Sequence, residues 1–230
     1  MNLIRHIPNT ITLMNLLCGI LGVISAVNGR PDIAFPLMLL AAVFDFCDGL
    51  AARLLKAYSP IGKELDSLSD MVSFGVLPAL MLAYAAKEAG LRPEWLCLVP
   101  LFLALMSALR LAKFNVDERQ TTDFIGVATP TAAIMSGALC YSGMELPGWF
   151  YPAFAVVMGL LLVSEIPMFG MKIAKGHKLL DTKRIVFLVL AVASIVATIV
   201  FGLNWSIAVL AIFGIYIAEN LVLWIAKPKN

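Results

Sequence analysis

Four aspartates set the chemistry available to this chain: Asp45 and Asp48, three residues apart, and Asp66 and Asp70, four apart, in a stretch that also holds Gly49, Ala52, Arg53 and Gly62. Carboxylates bind hard cations, relay protons or act as general bases. Their setting narrows the choice. The surrounding sequence is strongly apolar, and an ionised carboxylate at bilayer depth costs roughly 3 kcal/mol or more. A group of four calls for a cation or a proton to offset that cost.

The spacing gathers the four into one site. Residues three or four apart share a helix face, so each pair projects from one side of its own helix. Tyr58, Ser59, Pro60 and Gly62 break the helical pattern between the pairs, which folds the chain back near position 57, midway between Asp48 and Asp66. The pairs then come level, on the order of 13 to 19 Å from the turn at the helical rise per residue. Bare, the four would repel one another. One or two divalent, oxygen-seeking cations hold them ionised and together.

Gly49 and Ala52 strip bulk from one helix face beside Asp48, and Arg53 follows. A metal cluster next to a small-residue face and a guanidinium suits a pyrophosphate: cations neutralise it, Arg binds a phosphate oxygen, and a flat base has room. Taken alone, Gly-x-x-Ala equally describes tight packing between membrane helices.

The elements that must position these residues are membrane helices. Of 230 residues, 61% are hydrophobic and 14% charged, with a mean hydropathy of +0.91, well above a soluble domain. Eight apolar segments stand out, near 10–28, 33–56, 62–86, 95–112, 127–143, 149–168, 184–202 and 204–226. The sequence therefore predicts an all-α, polytopic bundle of about eight membrane helices in one domain spanning 1–230, with a core near 1–170 and an added hairpin near 184–226. The first segment reads as a span and not as a cleaved signal, since it holds Asn9, Asn15 and Asn28 and further spans follow. Pro130, Pro147, Pro152 and Pro167 crowd segments five and six, and Gly202, Leu203 and Asn204 make a tight turn between seven and eight.

Loop charge orients the bundle. With eight spans and a cytoplasmic N-terminus, Arg5, Arg53, Lys56, Lys63, Arg110, Lys113, Arg119, Lys172, Lys175, Lys178, Lys183, Arg184, Lys227 and Lys229 fall on the cytoplasmic side, leaving Arg30, Lys87 and Arg92 outside. Both termini and the aspartate hairpin should face the cytoplasm. A net charge of +2 gives no reason to expect nucleic acid, although the basic face would attract anionic membrane lipids. Cys18, Cys47, Cys97 and Cys140 are scattered in apolar runs, and His6 and His177 have no partner at ligand spacing, so no zinc or disulfide framework is expected.

Residues Asp45 to Asp70 match, at every specified position, the signature D-x-x-D-G-x-x-A-R-x(8)-G-x-x-x-D-x-x-x-D; the chain thereby resembles the CDP-alcohol phosphatidyltransferases. The resemblance implies transfer of a phosphatidyl group from CDP-diacylglycerol to an alcohol with release of CMP. It implies two divalent ions, Mg²⁺ or Mn²⁺, held by Asp45, Asp48, Asp66 and Asp70, with Asp70 also the general base. It places Gly49, Ala52, Arg53, Ser59, Gly62, Asn9 and Thr12 against the CDP-lipid, and it implies a homodimer. The chemistry agrees: in-line attack on phosphorus needs a neutralised leaving group, and a weakly acidic hydroxyl needs a placed base. The competing reading makes all four carboxylates ligands only, with the alcohol losing its proton to water.

The acceptor must be read elsewhere. Pro8 to Asn15 with Gly19, Arg110 to Asn115, Phe124-Ile-Gly126 with Thr129-Pro130, and Val163 to Phe169 with Lys172 are similar to the bacterial phosphatidylserine synthase branch. Lys113 stands where that branch often has a second Arg, and Val127-Ala128 where Leu-Pro is usual. This implies L-serine as acceptor. Arg110 offers its carboxylate a bidentate partner, with Lys113 and Asn115 nearby, although an Arg at a helix end is also a common membrane anchor. Glycerol 3-phosphate or an inositol phosphate is the alternative acceptor, but would want more converging cations than Arg110 and Lys113. Intramembrane aspartates also occur in cation transporters; one hairpin cluster without an internal repeat argues against that reading.

Overall fold

The computed structural model describes residues 6–116, 124–168 and 182–226. Arg5, Arg119, Phe169, Lys172, Lys175, His177, Lys178, Lys227 and Lys229 lie outside them, as do the side chains of Lys183 and Arg184.

A helix occupies each apolar segment. The order is α1 (Ile7–Val27), α2 (Pro31–Leu54), α3 (Pro60–Asp70), a π-helical turn (Met71–Val76), α4 (Leu77–Glu88), a short 3₁₀ turn (Glu94–Leu98) and α5 (Leu101–Val116). Strand β1 (Phe124–Ile125), α6 (Thr129–Tyr141), α7 (Phe150–Val163), β2 (Pro167–Met168), α8 (Thr182–Val200) and α9 (Trp205–Ile225) follow. Among the described residues, five helical stretches are long and apolar enough to cross a membrane: Ile7–Val27, Pro31–Leu54, Pro60–Glu88, Glu94–Val116 and Trp205–Ile225. Helices α6 and α7, with 13 and 14 residues, fall short of the ~20 residues that span a bilayer unaided. Leu17, Ile20, Leu21 and Ile24 of α1 are exposed, as residues facing lipid would be.

The turn between α2 and α3 is tighter than its sequence suggests. Helix α2 closes with paired bonds, Ala57 N–H to the Ala52 carbonyl at 3.0 Å and Lys56 N–H to the Arg53 carbonyl at 3.3 Å, and Lys56 takes the left-handed conformation, φ 51°, that such a stop requires. Ser59 then caps α3, its hydroxyl accepting from Gly62 N–H at 3.0 Å, and Pro60 supplies the first helical residue. Gly62, expected in the break, therefore lies inside the first turn of α3.

Close packing joins α1 to the rod that follows. Helix α1 lies along α2 and also packs on α3, the π turn and α4. A Cβ on Gly19 would stand 2.3 Å from Ser73 Oγ and 3.0 Å from Ser73 Cα, so only glycine permits this approach. The π turn follows Asp70 directly, and Pro78, lacking an N–H, interrupts the ladder one turn later. Two apolar clusters fill the interior. Phe35, Met38, Phe74 and Leu77 form one among α1, α2, the π turn and α4; Leu82, Leu103, Val127 and Leu162 form the other among α4, α5, α6 and α7.

The bundle includes one small sheet that its apolar pattern does not announce. Phe124 pairs with Met168 and Ile125 with Pro167, antiparallel. Gly126, at φ 73°, donates its N–H to the Ile166 carbonyl at 2.9 Å, and Val127 donates to the Leu161 carbonyl at 3.1 Å. A side chain on Gly126 would strike the Leu162 carbonyl at 2.5 Å. This clip fixes where α6 begins.

Candidate functional site

The hairpin brings three carboxylates together. One oxygen each from Asp45, Asp48 and Asp66 lies within 4.8 Å of the others. Oxygens sharing a cation at about 2.0–2.6 Å stand up to about 5 Å apart across it, so the separation fits a hard divalent ion. Oδ2 of Asp48 is buried without a hydrogen-bond partner. An all-oxygen donor set with such an orphaned oxygen fits Mg²⁺ or Mn²⁺ well.

Beside the cluster opens a cavity of about 500 Å³. Asp48, Gly49 and Ala52 of α2, Ser59, Gly62, Lys63 and Asp66 of the turn and α3, and Asn9 and Thr12 of α1 line it. Helix α1 thus forms a wall between the two arms of the aspartate hairpin. Gly49 faces open space: a Cβ there would meet only Arg53, at 4.0 Å, so among the described residues no neighbouring helix packs against it. Arg53 stays exposed and folds back along its own helix, donating Nε to the Gly49 carbonyl at 3.0 Å. Thr12 is buried next to Asp48, and Asn9 Oδ1 would lie 3.0 Å from a Cβ on Gly62.

Asp70 stands apart from the three. It is outside the 4.8 Å group and buried, with Oδ1 accepting from Asn15 Nδ2 at 3.2 Å. It nevertheless lies close enough to interact electrostatically with Asp45, Asp48 and Asp66, so the four expected together form a tight group of three with the fourth beside it. Helix α1 reaches the last residue of α3 and offers it a donor there.

Arg110 also lies inside the protein. Only 8% exposed, it donates Nη1 to the Thr129 hydroxyl at 3.1 Å, rests over the Phe114 ring at 5.5 Å and interacts electrostatically with Asp70. A guanidinium carries five donors. Among the described residues, Thr129 is the hydrogen-bond acceptor it has found, which leaves donors for a ligand. Lys113 is exposed at the end of α5. Asn115 links α5 to α3: its amide donates to Ser67 Oγ at 2.8 Å, and its carbonyl accepts from Lys63 Nζ at 2.8 Å.

Asn15, Lys63, Tyr58 and Thr129 were not singled out as site residues by spacing. Asn15 had a legible signal, since Thr12, Asn15, Gly19 and Gly22 form a polar and small stripe along an apolar helix. Thr129 had none, because its partner is 19 residues away across the β1 clip.

A family model described as CDP-alcohol phosphatidyltransferase matches residues 5–164. The chain is 34% identical over 178 residues to the CDP-diacylglycerol–serine O-phosphatidyltransferase of Mycobacterium tuberculosis (strain ATCC 25618 / H37Rv), covering 72% of this chain and 61% of that protein. It is 38% identical over 130 residues to the protein of that name from Bacillus subtilis (strain 168), covering 56% and 72%. The protein of that name from Helicobacter pylori (strain J99 / ATCC 700824) is 29% identical over 233 residues, covering 95% of this chain and 90% of the relative.

Proposed function

Because the chain belongs to the CDP-alcohol phosphatidyltransferase family, we propose that it transfers the phosphatidyl group of CDP-diacylglycerol to the hydroxyl of L-serine, giving phosphatidylserine and CMP. The observation that carries this reading is the convergence of Asp45, Asp48 and Asp66 beside a cavity whose wall includes Asp48 and Asp66 together with Gly49, Ser59 and Lys63. The printed names of the relatives, each a serine transferase, support serine as acceptor.

Each residue then has a task. Asp45, Asp48, Asp66 and Asp70 hold Mg²⁺ or Mn²⁺, two ions, which when bound neutralise the pyrophosphate and the departing CMP. Asn9, Thr12, Gly49, Ala52, Ser59 and Gly62 enclose the cytidine and diphosphate, with Arg53 and Lys63 supplying positive charge at the mouth. Arg110 pairs with the serine carboxylate, with Lys113 and Asn115 at the same end of α5. Asp70 takes the proton of the serine hydroxyl as its oxygen attacks the phosphorus that carries the diacylglycerol; the P–O bond to CMP breaks, and its electron pair leaves with CMP.

The setting is a membrane bundle of eight spans, with both termini and the site on the cytoplasmic side of a bacterial-type inner membrane. Residues 1–170 form the core of this single domain and the α8–α9 hairpin an addition, in a homodimer. Basic loop charge supports the orientation, and burial of the short α6 and α7 among longer helices supports their spanning role. Purified protein with CDP-diacylglycerol and Mg²⁺ or Mn²⁺ should release CMP with L-serine and far less with glycerol 3-phosphate or an inositol phosphate. Faster release with a phosphorylated alcohol would reassign the acceptor.

A further inference from the structure

Asn15 belongs to no part of the aspartate signature, yet it is completely buried in α1 and touches Asp70. A carboxylate oxygen can only accept, so the asparagine's amide nitrogen is the donor across that 3.2 Å contact. Its own position is fixed twice over: Ser73 Oγ donates to its backbone carbonyl at 3.1 Å, and Gly19, one turn along α1, admits Ser73 to near-contact. The side-chain oxygen of Asn15 is buried and unpartnered. Such an orphan is rare in a folded interior and, next to a reacting group, marks a place where a ligand supplies the missing donor.

We propose that Asn15 is a positioning residue for the transfer: its N–H holds one oxygen of Asp70 so that the other faces the incoming hydroxyl, and its own oxygen accepts a hydrogen bond from the acceptor's ammonium group. The proposal rests on the serine-transfer reading above. It extends that reading to a second helix, since α1 then sets the orientation of the base on α3.

The test compares Asn15→Ala and Asn15→Ser with the unaltered protein in detergent, measuring serine-dependent CMP release and the rise in Tm caused by CDP-diacylglycerol. Both variants shorten the side chain and create no overlap. The expected result is a fall in kcat of about 10- to 100-fold from misorientation of the base, a higher serine KM, and an unchanged CDP-diacylglycerol KM and Tm rise. A kcat within twofold of the unaltered protein overturns the proposal. So does a parallel loss of kcat and of donor binding, or failure of both variants to fold, because either assigns Asn15 a purely structural role. If the unaltered protein releases no CMP with serine, the acceptor assignment fails instead; the Asn15 variants are then compared on whichever alcohol does release CMP, and the same outcomes apply.

Discussion

The two halves of the site are built differently. The half proposed for the donor, the cavity lined by Asp48, Gly49, Ser59, Gly62, Lys63 and Asp66, comes mostly from one continuous stretch of chain and opens outward. The half around Asp70 is buried and assembled from four separate places: Asn15 on α1, Asp70 on α3, Arg110 on α5 and Thr129 on α6. A large, charged nucleotide needs an accessible cleft that a local hairpin can make. A small polar acceptor and a proton transfer need water excluded and a base held still, which requires walls from several helices.

That contrast can be broken by substitution. The largest effect is expected from Asp70→Asn, which should lower CMP release by about 10²- to 10⁴-fold while leaving binding of CDP-diacylglycerol largely intact; equal loss of binding would place Asp70 in the donor half. Arg110→Ala should raise the serine KM by about 10- to 100-fold, the value of a hydrogen-bonded charge, with little change in the KM for CDP-diacylglycerol. An equal rise in both would make Arg110 a structural anchor.

Two glycines sharpen the same comparison at smaller scale. Gly19→Ala must push α1 away from Ser73, so it should cost about 1–3 kcal/mol of stability, read as a lower Tm, and reduce kcat by disturbing the Asn15–Asp70 contact. Gly49→Ala meets only Arg53 and should leave Tm unchanged while raising the KM for CDP-diacylglycerol a few-fold. A destabilised Gly49→Ala with an unaltered KM would show that its face packs against protein after all.

Much of the donor half was legible because its geometry is local. Asp45 with Asp48, and Asp66 with its turn residues, share faces by helical periodicity, and Ser59, Pro60 and Gly62 write the start of α3 into the sequence. The apolar segments likewise mark where helices form, since backbone groups in a bilayer must be satisfied within each segment. Less was legible where distant segments meet. Spacing pairs Asp70 with Asp66, but says nothing of Asn15, 55 residues away, which donates to Asp70. Arg110 reads from sequence as an acceptor ligand or a helix-end anchor, but its partner Thr129 and the clip that positions it lie across a break in the helical pattern.

By itself, the sequence determined a helical membrane protein, a carboxylate hairpin and the type of ligand that hairpin suits, because periodicity, hydropathy and charge act between near neighbours. Tertiary structure alone decided that α1 walls the cavity, that Gly19 packs against Ser73 while Gly49 faces open space, and that Asp70 is held by Asn15. Those outcomes depend on which helix faces touch. That choice is made by steric fit at particular small residues and by the need of each buried polar group to find a partner.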